Sequence, residues 1–265
     1  FHHPSYFSMY INFSIGILYI RLIYPMKDNN YSSKILIAIF LFTVFIILLS
    51  SRTGWITNLL IHFLYILFNI KNKSLSKYQI LFGCCIITCF FVMNQIPSVK
   101  TRSKEVINQT VLVDKVKKNT FTSKSRPHPS STNTRLKAWK TSLELISQNL
   151  LFGVGNGNST KILNLAYESK GYKSLKNKSI NSHNQFIQFQ LDHGLIGSFC
   201  LLFFTLIMLI ISLIEKDFLY ALFLTIIIIN FMTESMLETQ SGVVFFAFFN
   251  TFFFYNWIDK KFNRN

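Results

Sequence analysis

The sequence predicts an all-α polytopic membrane protein, with about seven transmembrane helices and one large external loop domain between the fourth and the fifth. Three observations predict it. Half of the 265 residues are hydrophobic, 29 of them are Phe, and only 14% are charged, against about 25% charged in an average soluble domain. The apolar residues gather in runs of helix length. The polar residues gather in one stretch, 97–193.

The runs cover 5–24, 35–51, 55–70, 79–96, 194–214, 218–233 and 242–258. Crossing roughly 30 Å of hydrocarbon takes about 20 residues, fewer where aromatic or snorkelling ends reach the interface. Backbone groups in lipid must bond within their own segment, and these runs lack the roughly ten-residue alternation of barrel strands. Residues 1–20 have neither a basic n-region nor a small-residue cleavage site, so they do not read as a signal peptide. Three regions follow: 1–96 with the first four spans, 97–193 as a loop domain, and 194–265 with three spans and a tail.

Short loops rich in Lys and Arg mark the cytoplasmic side. Lys27 and Lys34 lie between the first two spans with Arg21 just before them, Lys71, Lys73 and Lys77 between the third and fourth, Lys216 between the fifth and sixth, and Lys260, Lys261 and Arg264 after the seventh. The alternation holds throughout and leaves 50–55, 97–193 and 233–242 on the outer face. Residues 97–185 carry 16 Lys and Arg against Glu105, Asp114, Glu144 and Glu168. Export of so basic a segment is allowed, because long loops translocate largely regardless of charge.

Within the loop domain, 97–134 reads as loop-rich, with RPHPSS and STNT as turn signals. Next, RLKAWKTSLELISQNLLFG repeats apolar residues at Leu136, Trp139, Leu143, Ile146 and Leu150, the 3/4 spacing of an amphipathic helix. Gly153, Gly155 and Gly157 end it. GVGNGN lacks the Lys-Ser/Thr of a phosphate-binding P-loop and follows a helix, so it reads as a turn. The basic charge does not indicate nucleic acid, since it faces outward and lacks interleaved stacking aromatics.

The four cysteines, Cys84, Cys85, Cys89 and Cys200, all lie in spans and read as small packing residues, with no disulfide framework or metal spacing. His62 reads as a core histidine bonded to a neighbouring helix. Arg52, at the head of a span, either snorkels or faces a polar cavity. Arg135 and His183, taken singly, are ordinary solvated side chains. Together on one membrane face, two guanidinium groups suit a diphosphate and an imidazole suits a proton. Glu234 and Glu238 are expected to be solvated loop acids, with a place near the site as the lesser reading. Asp192 is too far along a helix, nine residues at about 1.5 Å each, to orient His183 directly.

The stretch NSHNQFIQFQLDHGLIG (181–197) ties these observations together. His183-Asn184, nine residues, then Gly194-Leu195-Ile196-Gly197 resembles the H-[NSQ]-x9-G-x-x-[GTY] signature of the O-antigen ligase and O-antigen polymerase superfamily. HPSYFSMY (3–10), SRTGW (51–55) and TRLKAWKTSLELISQNLLFGVGNGN (134–158) are similar to the same family, so the resemblance spans nearly the whole chain. One departure is Ile56, where the family's Arg-x3-Leu element has Leu. The family's dozen or so spans imply about five more upstream of this sequence.

The resemblance implies an integral-membrane glycosyltransferase of the bacterial inner membrane, working on the periplasmic face with no nucleotide sugar, cofactor or obligatory metal. Its donor would be a glycan on undecaprenyl diphosphate. The acceptor would be a sugar hydroxyl of lipid A–core in a ligase, or the end of a growing lipid-linked glycan in a polymerase. Arg52 and Arg135 would bind and neutralise the departing diphosphate. His183 would act as general base on the acceptor hydroxyl, with inversion at the anomeric carbon. Asn184 and Gln185 would bond sugar hydroxyls, and His193 would have a supporting place only. Two other classes remain open. A lipid-linked glycan transporter would place polar groups at mid-membrane, where the last four runs carry almost none; a scaffold would tolerate Lys at position 52.

Overall fold

The computed structural model describes residues 4–24, 32–71, 83 and 131–262. Among them there is no strand. The helices are α1 (Pro4–Ile23), α2 (Ser32–Leu49), α3 (Arg52–Lys71), α4 (Ser131–Gln148), α5 (Ser159–Ser169), α6 (Lys173–Asn177), α7 (Gln185–Ile214), α8 (Phe218–Phe231) and α9 (Gln240–Phe262), with a 3-10 turn over Met236–Glu238. The all-α expectation holds for this part of the chain. α1, α3, α7 and α9 are long and apolar enough to cross a membrane, while α2 and α8 are apolar but shorter. Apart from Gly83, the expected fourth span lies outside the described residues, as do Cys84, Cys85, Cys89 and the segment 97–130.

Successive apolar helices run in alternating directions. Ser5 at the start of α1 bonds Glu234 after α8, and Thr53 at the start of α3 bonds Thr233, so these termini share one end of the bundle. At the opposite end Lys260 pairs with Asp217. Arg21, Lys71, Lys216 and Lys261 fall at that opposite end too. Length, not loop structure, dictates this arrangement, because each span must return the chain to the other surface.

α1 is the central helix and packs on α2, α3 and α8. Aromatic density fills the space between helices. Phe13 meets Phe223, Phe245, Phe249 and Phe253 with ring centroids 4.9–6.2 Å apart, all close to edge-on, the geometry that the ring quadrupole favours. Polar groups inside the bundle pair across helices. Asn12 donates to Gly54 O at 2.9 Å and accepts from Asn58 at 3.1 Å, bonds worth about 0.6 kcal/mol on average in such bundles. A Cβ at Gly54 would lie 2.6 Å from the Ser8 Cβ, so α1 and α3 touch here because one residue has no side chain. His62 is the expected core histidine: it is buried between the Tyr19 hydroxyl and Thr43. Cys200 instead lies exposed on the outer surface of α7, so it is not a packing residue.

The small domain over 131–193 has its own core of Ala138, Ile146, Leu163, Tyr167, Leu175 and Leu191. The expected amphipathic helix forms as α4, but only part of the expected apolar set turns inward: Ile146 is buried and Trp139 half-buried. Ala138, Thr141, Ser142 and Ile146 point inward, whereas Leu136, Leu143 and Leu150 are exposed. Apolar periodicity locates a stripe without naming what covers it, and here the small domain chose the small residues. As expected, GVGNGN is the turn between α4 and α5.

α7 joins the small domain to the membrane. The stretch 181–193 and the following span form one helix broken at Gly194, whose φ of 66° and ψ of −164° are open only to glycine. The break is locked from outside. Val154 N donates to Leu191 O, Gly155 N to Asp192 O and Leu195 N to Leu150 O. Gly153 packs its backbone on the same point, with φ of 69° and a virtual Cβ only 2.6 Å from Gly194 N.

Candidate functional site

Glu234 is the centre of the polar cluster at the small-domain end of the bundle. The residue is 5% exposed, and a carboxylate so buried stays ionised only when cations and hydrogen-bond donors surround it. They do. Arg135 Nη2 donates to its Oε1 at 2.8 Å, Ser5 Oγ to the same oxygen at 3.3 Å, and His183 Nδ1 lies 3.1 Å from Oε2. These partners come from 99, 229 and 51 residues away in sequence. The ring meets Glu234 through Nδ1, and Nε2 is the nitrogen that this contact does not engage.

Each partner is held by local structure. Asn181 Oδ1 accepts from His183 N at 3.1 Å, and His183 takes the left-handed conformation with φ of 46°, a conformation that histidine tolerates better than most residues. Asn184 then caps α7, its Oδ1 accepting from Phe186 N and Ile187 N at 3.0 and 3.1 Å. The tight turn aims the imidazole at Glu234. Behind it, Trp139 Nε1 on α4 donates to Ser182 O at 2.6 Å, and Ser182 N donates to Gln188. Arg135 lies on the same α4, one turn before that tryptophan.

The expected site residues therefore separate into groups. His183 and Arg135 meet on Glu234. Arg52 heads α3 at the same end of the bundle with its side chain exposed, and its neighbour Thr53 bonds Thr233, beside Glu234, at 2.8 Å. Asn184 is half-buried and keeps one amide hydrogen beyond the bond that it gives Met232 O. Gln185 is turned inward at 2% exposure, where its Oε1 accepts from Leu237 N; this bond positions the loop that carries Glu234. His193 stacks on Phe189. Asp192 is buried against Gln188 and does not reach His183, in line with its distance along the helix.

Glu234 is the residue that the sequence reading misjudged. An acid in TESMLETQSG reads as solvated, yet Glu234 is enclosed by three distant segments. The only local signal is its place in the polar step directly after an apolar span. Glu238 has an exposed surface, yet it lies near the site: it accepts from Asn181, the residue that holds His183 N, and partial burial pushes its carboxyl above the usual range. Among the described residues no group of His, Cys, Asp and Glu is arranged to hold a metal ion.

The fold and this cluster define a multi-pass membrane protein with an acid, an imidazole and guanidinium groups at one end of its bundle. The sequence profile described as O-antigen ligase matches residues 37–202, more than half of the chain, and includes Arg52, Arg135, His183 and Gly194. The chain belongs to the O-antigen ligase family. A comparison with curated proteins finds no match.

Proposed function

We propose that the chain transfers a glycan from undecaprenyl diphosphate to a sugar hydroxyl of lipid A–core, on the periplasmic face of the bacterial inner membrane. The observation that carries this reading is Glu234, held between His183 and Arg135. The family supplies the reaction class. The polymerase reading uses the same machinery with a growing lipid-linked glycan as acceptor.

In this reading His183 Nε2 takes the proton of the acceptor hydroxyl as its oxygen attacks the anomeric carbon. Glu234 fixes the tautomer and stabilises the imidazolium that forms, the role of the acid in an acid–histidine pair. The bond from the anomeric carbon to the diphosphate oxygen breaks, and the lipid diphosphate departs from the opposite side with inversion. Arg135 keeps free N–H donors beyond the one on Glu234, and Arg52 stands at the same surface; both meet the charge that develops there. No metal takes part. Seven spans and the regions 1–96, 97–193 and 194–265 complete the proposed architecture.

The test uses a strain deleted for the full-length gene and complemented with wild type or His183→Ala. Ligase activity leaves lipid A–core bare in the deletion while long polymer accumulates on undecaprenyl diphosphate, and His183→Ala fails to restore transfer. Single repeat units on lipid A–core without a ladder assign the polymerase reaction. Full restoration by His183→Ala overturns the catalytic reading.

A further inference from the structure

The outward face of α4 is an unusual surface for a small polar domain. Leu136 and Leu143 lie one above the other on α4 with Lys140 and Ser147 exposed beside them, and the chain past its end carries Leu150, Leu151 and Phe152, the last 74% exposed. At about 100° per residue Leu136 and Leu143 point about 110° round the helix from the mean direction of Ala138, Ser142 and Ile146, which face the domain core. Exposing so much apolar surface to water is unfavourable by roughly 25 cal/mol per Å².

Two ties fix the direction in which α4 runs. Its N-terminal part is held by Arg135 on Glu234, at the end of the bundle just beyond α8. The chain at its C-terminal end is held by Leu150 O on Leu195 N, at the break where the span of α7 begins. Both ties lie at the same end of the bundle. The 18-residue helix, about 27 Å long at 1.5 Å per residue, therefore lies across that end and not along the spans. Leu151 and Phe152 cross α7 at Gly194, the level at which α7 becomes apolar on all sides. Within a turn and a half of that crossing, Ile196 and Phe199 of α7 are exposed as well, Phe199 at 64%, so exposed apolar side chains of the span follow closely on those of the small domain.

The geometry points to an interfacial role: the stripe of α4 and the Leu150–Phe152 tip lie in the headgroup and upper acyl region of the bilayer. A bilayer is the occupant that meets a surface continuous with a span at the level where that span starts. Charge agrees, because residues 131–185 carry eight Lys and Arg against two Glu, and basic amphipathic helices gain from anionic headgroups. The consequence for the site is positional. Arg135 and the Trp139 contact behind His183 ride on a helix whose height is set by the membrane surface, the level of a lipid diphosphate. This inference rests on reading α7 as a span, which the test checks separately.

A photoreactive phenylalanine analogue is placed singly at Leu143, Phe152, Phe199 and Lys161 in the full-length protein. Each variant is reconstituted in phosphatidylethanolamine–phosphatidylglycerol vesicles, and adducts are read by mass spectrometry. Lipid adducts at 143 and 152 comparable to that at 199, with none at 161 on exposed α5, are the expected result. Lipid adducts at 199 alone overturn the interfacial role and leave the span reading standing. Adducts from 152 to protein, whether a second copy or another segment, also overturn it. Absence of lipid adducts at 199 removes the span reading and the inference with it.

Discussion

In the proposed reaction Glu234 decides the chemistry, since its contact with Nδ1 leaves Nε2 to act as base and its bond to Nη2 sets how much of Arg135 can meet the diphosphate. Replacing it by Gln keeps the shape but removes the charge, leaving Arg135 unpaired and either imidazole tautomer allowed. Breaking a fully buried pair costs about 3–5 kcal/mol; Arg135 is 31% exposed, so a loss of about 2 kcal/mol in folding stability is expected. Transfer should fall by about 10²-fold or more, the range for loss of general-base function, with Glu234→Asp recovering part of it. A radiolabelled transfer assay on purified protein, alongside thermal melting in detergent, checks both; unchanged transfer in Glu234→Gln removes this residue from the mechanism. Arg52 tests the diphosphate role separately. Arg52→Lys keeps charge but loses the planar fork, so transfer should drop while the melting temperature stays put, and full activity of the Lys variant favours a scaffold. That Arg52, Arg135 and His183 fall at one end of the bundle was legible in the sequence, because each sits beside a recognisable helix start. Glu234 was not, since its burial is created by Ser5, Arg135 and His183 arriving from elsewhere.

At the scale of elements, the connection between α4 and α7 is the joint on which the site depends. Gly194 has a positive φ, and a Cβ there would collide with the backbone of Leu151. Gly194→Ala should therefore destabilise the joint by about 1–3 kcal/mol, the range for a strained left-handed residue, before the collision is counted. The expected outcome is a lower melting temperature and a transfer rate reduced together with it, whereas the same change at Gly157, whose Cβ meets nothing within 4 Å, should cost less. Equal melting temperatures for the two variants would contradict the packed joint. The sequence showed the existence of α4 and its end at the glycines, because 3/4 spacing and turn residues act locally. It did not show which face is buried. The regularly spaced leucines marked a face meant for something other than the domain core, and small residues such as Ala138 and Ser142 carry no pattern that announces close packing. The break inside α7 was legible only as a glycine in a signature, since its geometry requires Leu150–Val154 to dock from another part of the chain.

For the whole molecule, the distribution of charge makes two opposite demands, and the proposed orientation meets only one of them. Arg21, Lys71, Lys216, Lys260 and Lys261 lie at the end of the bundle away from the cluster, and residues 131–185 carry eight Lys and Arg at the other end. A rule based on total charge would keep the larger basic region in the cytoplasm. The physical rule concerns short loops near span ends, because there a charge must be held back while its own span inserts, whereas a long polar segment is translocated as a chain. On that ground the proposed orientation puts the short basic loops in the cytoplasm and the small domain outside, on the side where the proposed reaction needs its lipid-linked glycan. Single cysteines at Lys161 on α5 and at Glu215 in the turn after α7, both exposed, with the native cysteines replaced, separate the two orientations. A membrane-impermeant maleimide should label Lys161→Cys in intact spheroplasts and Glu215→Cys only after permeabilisation. Reversed labelling would put the Glu234 cluster in the cytoplasm, where the proposed transfer has no lipid-linked polymer to draw on, and the proposed reaction would fall with the orientation.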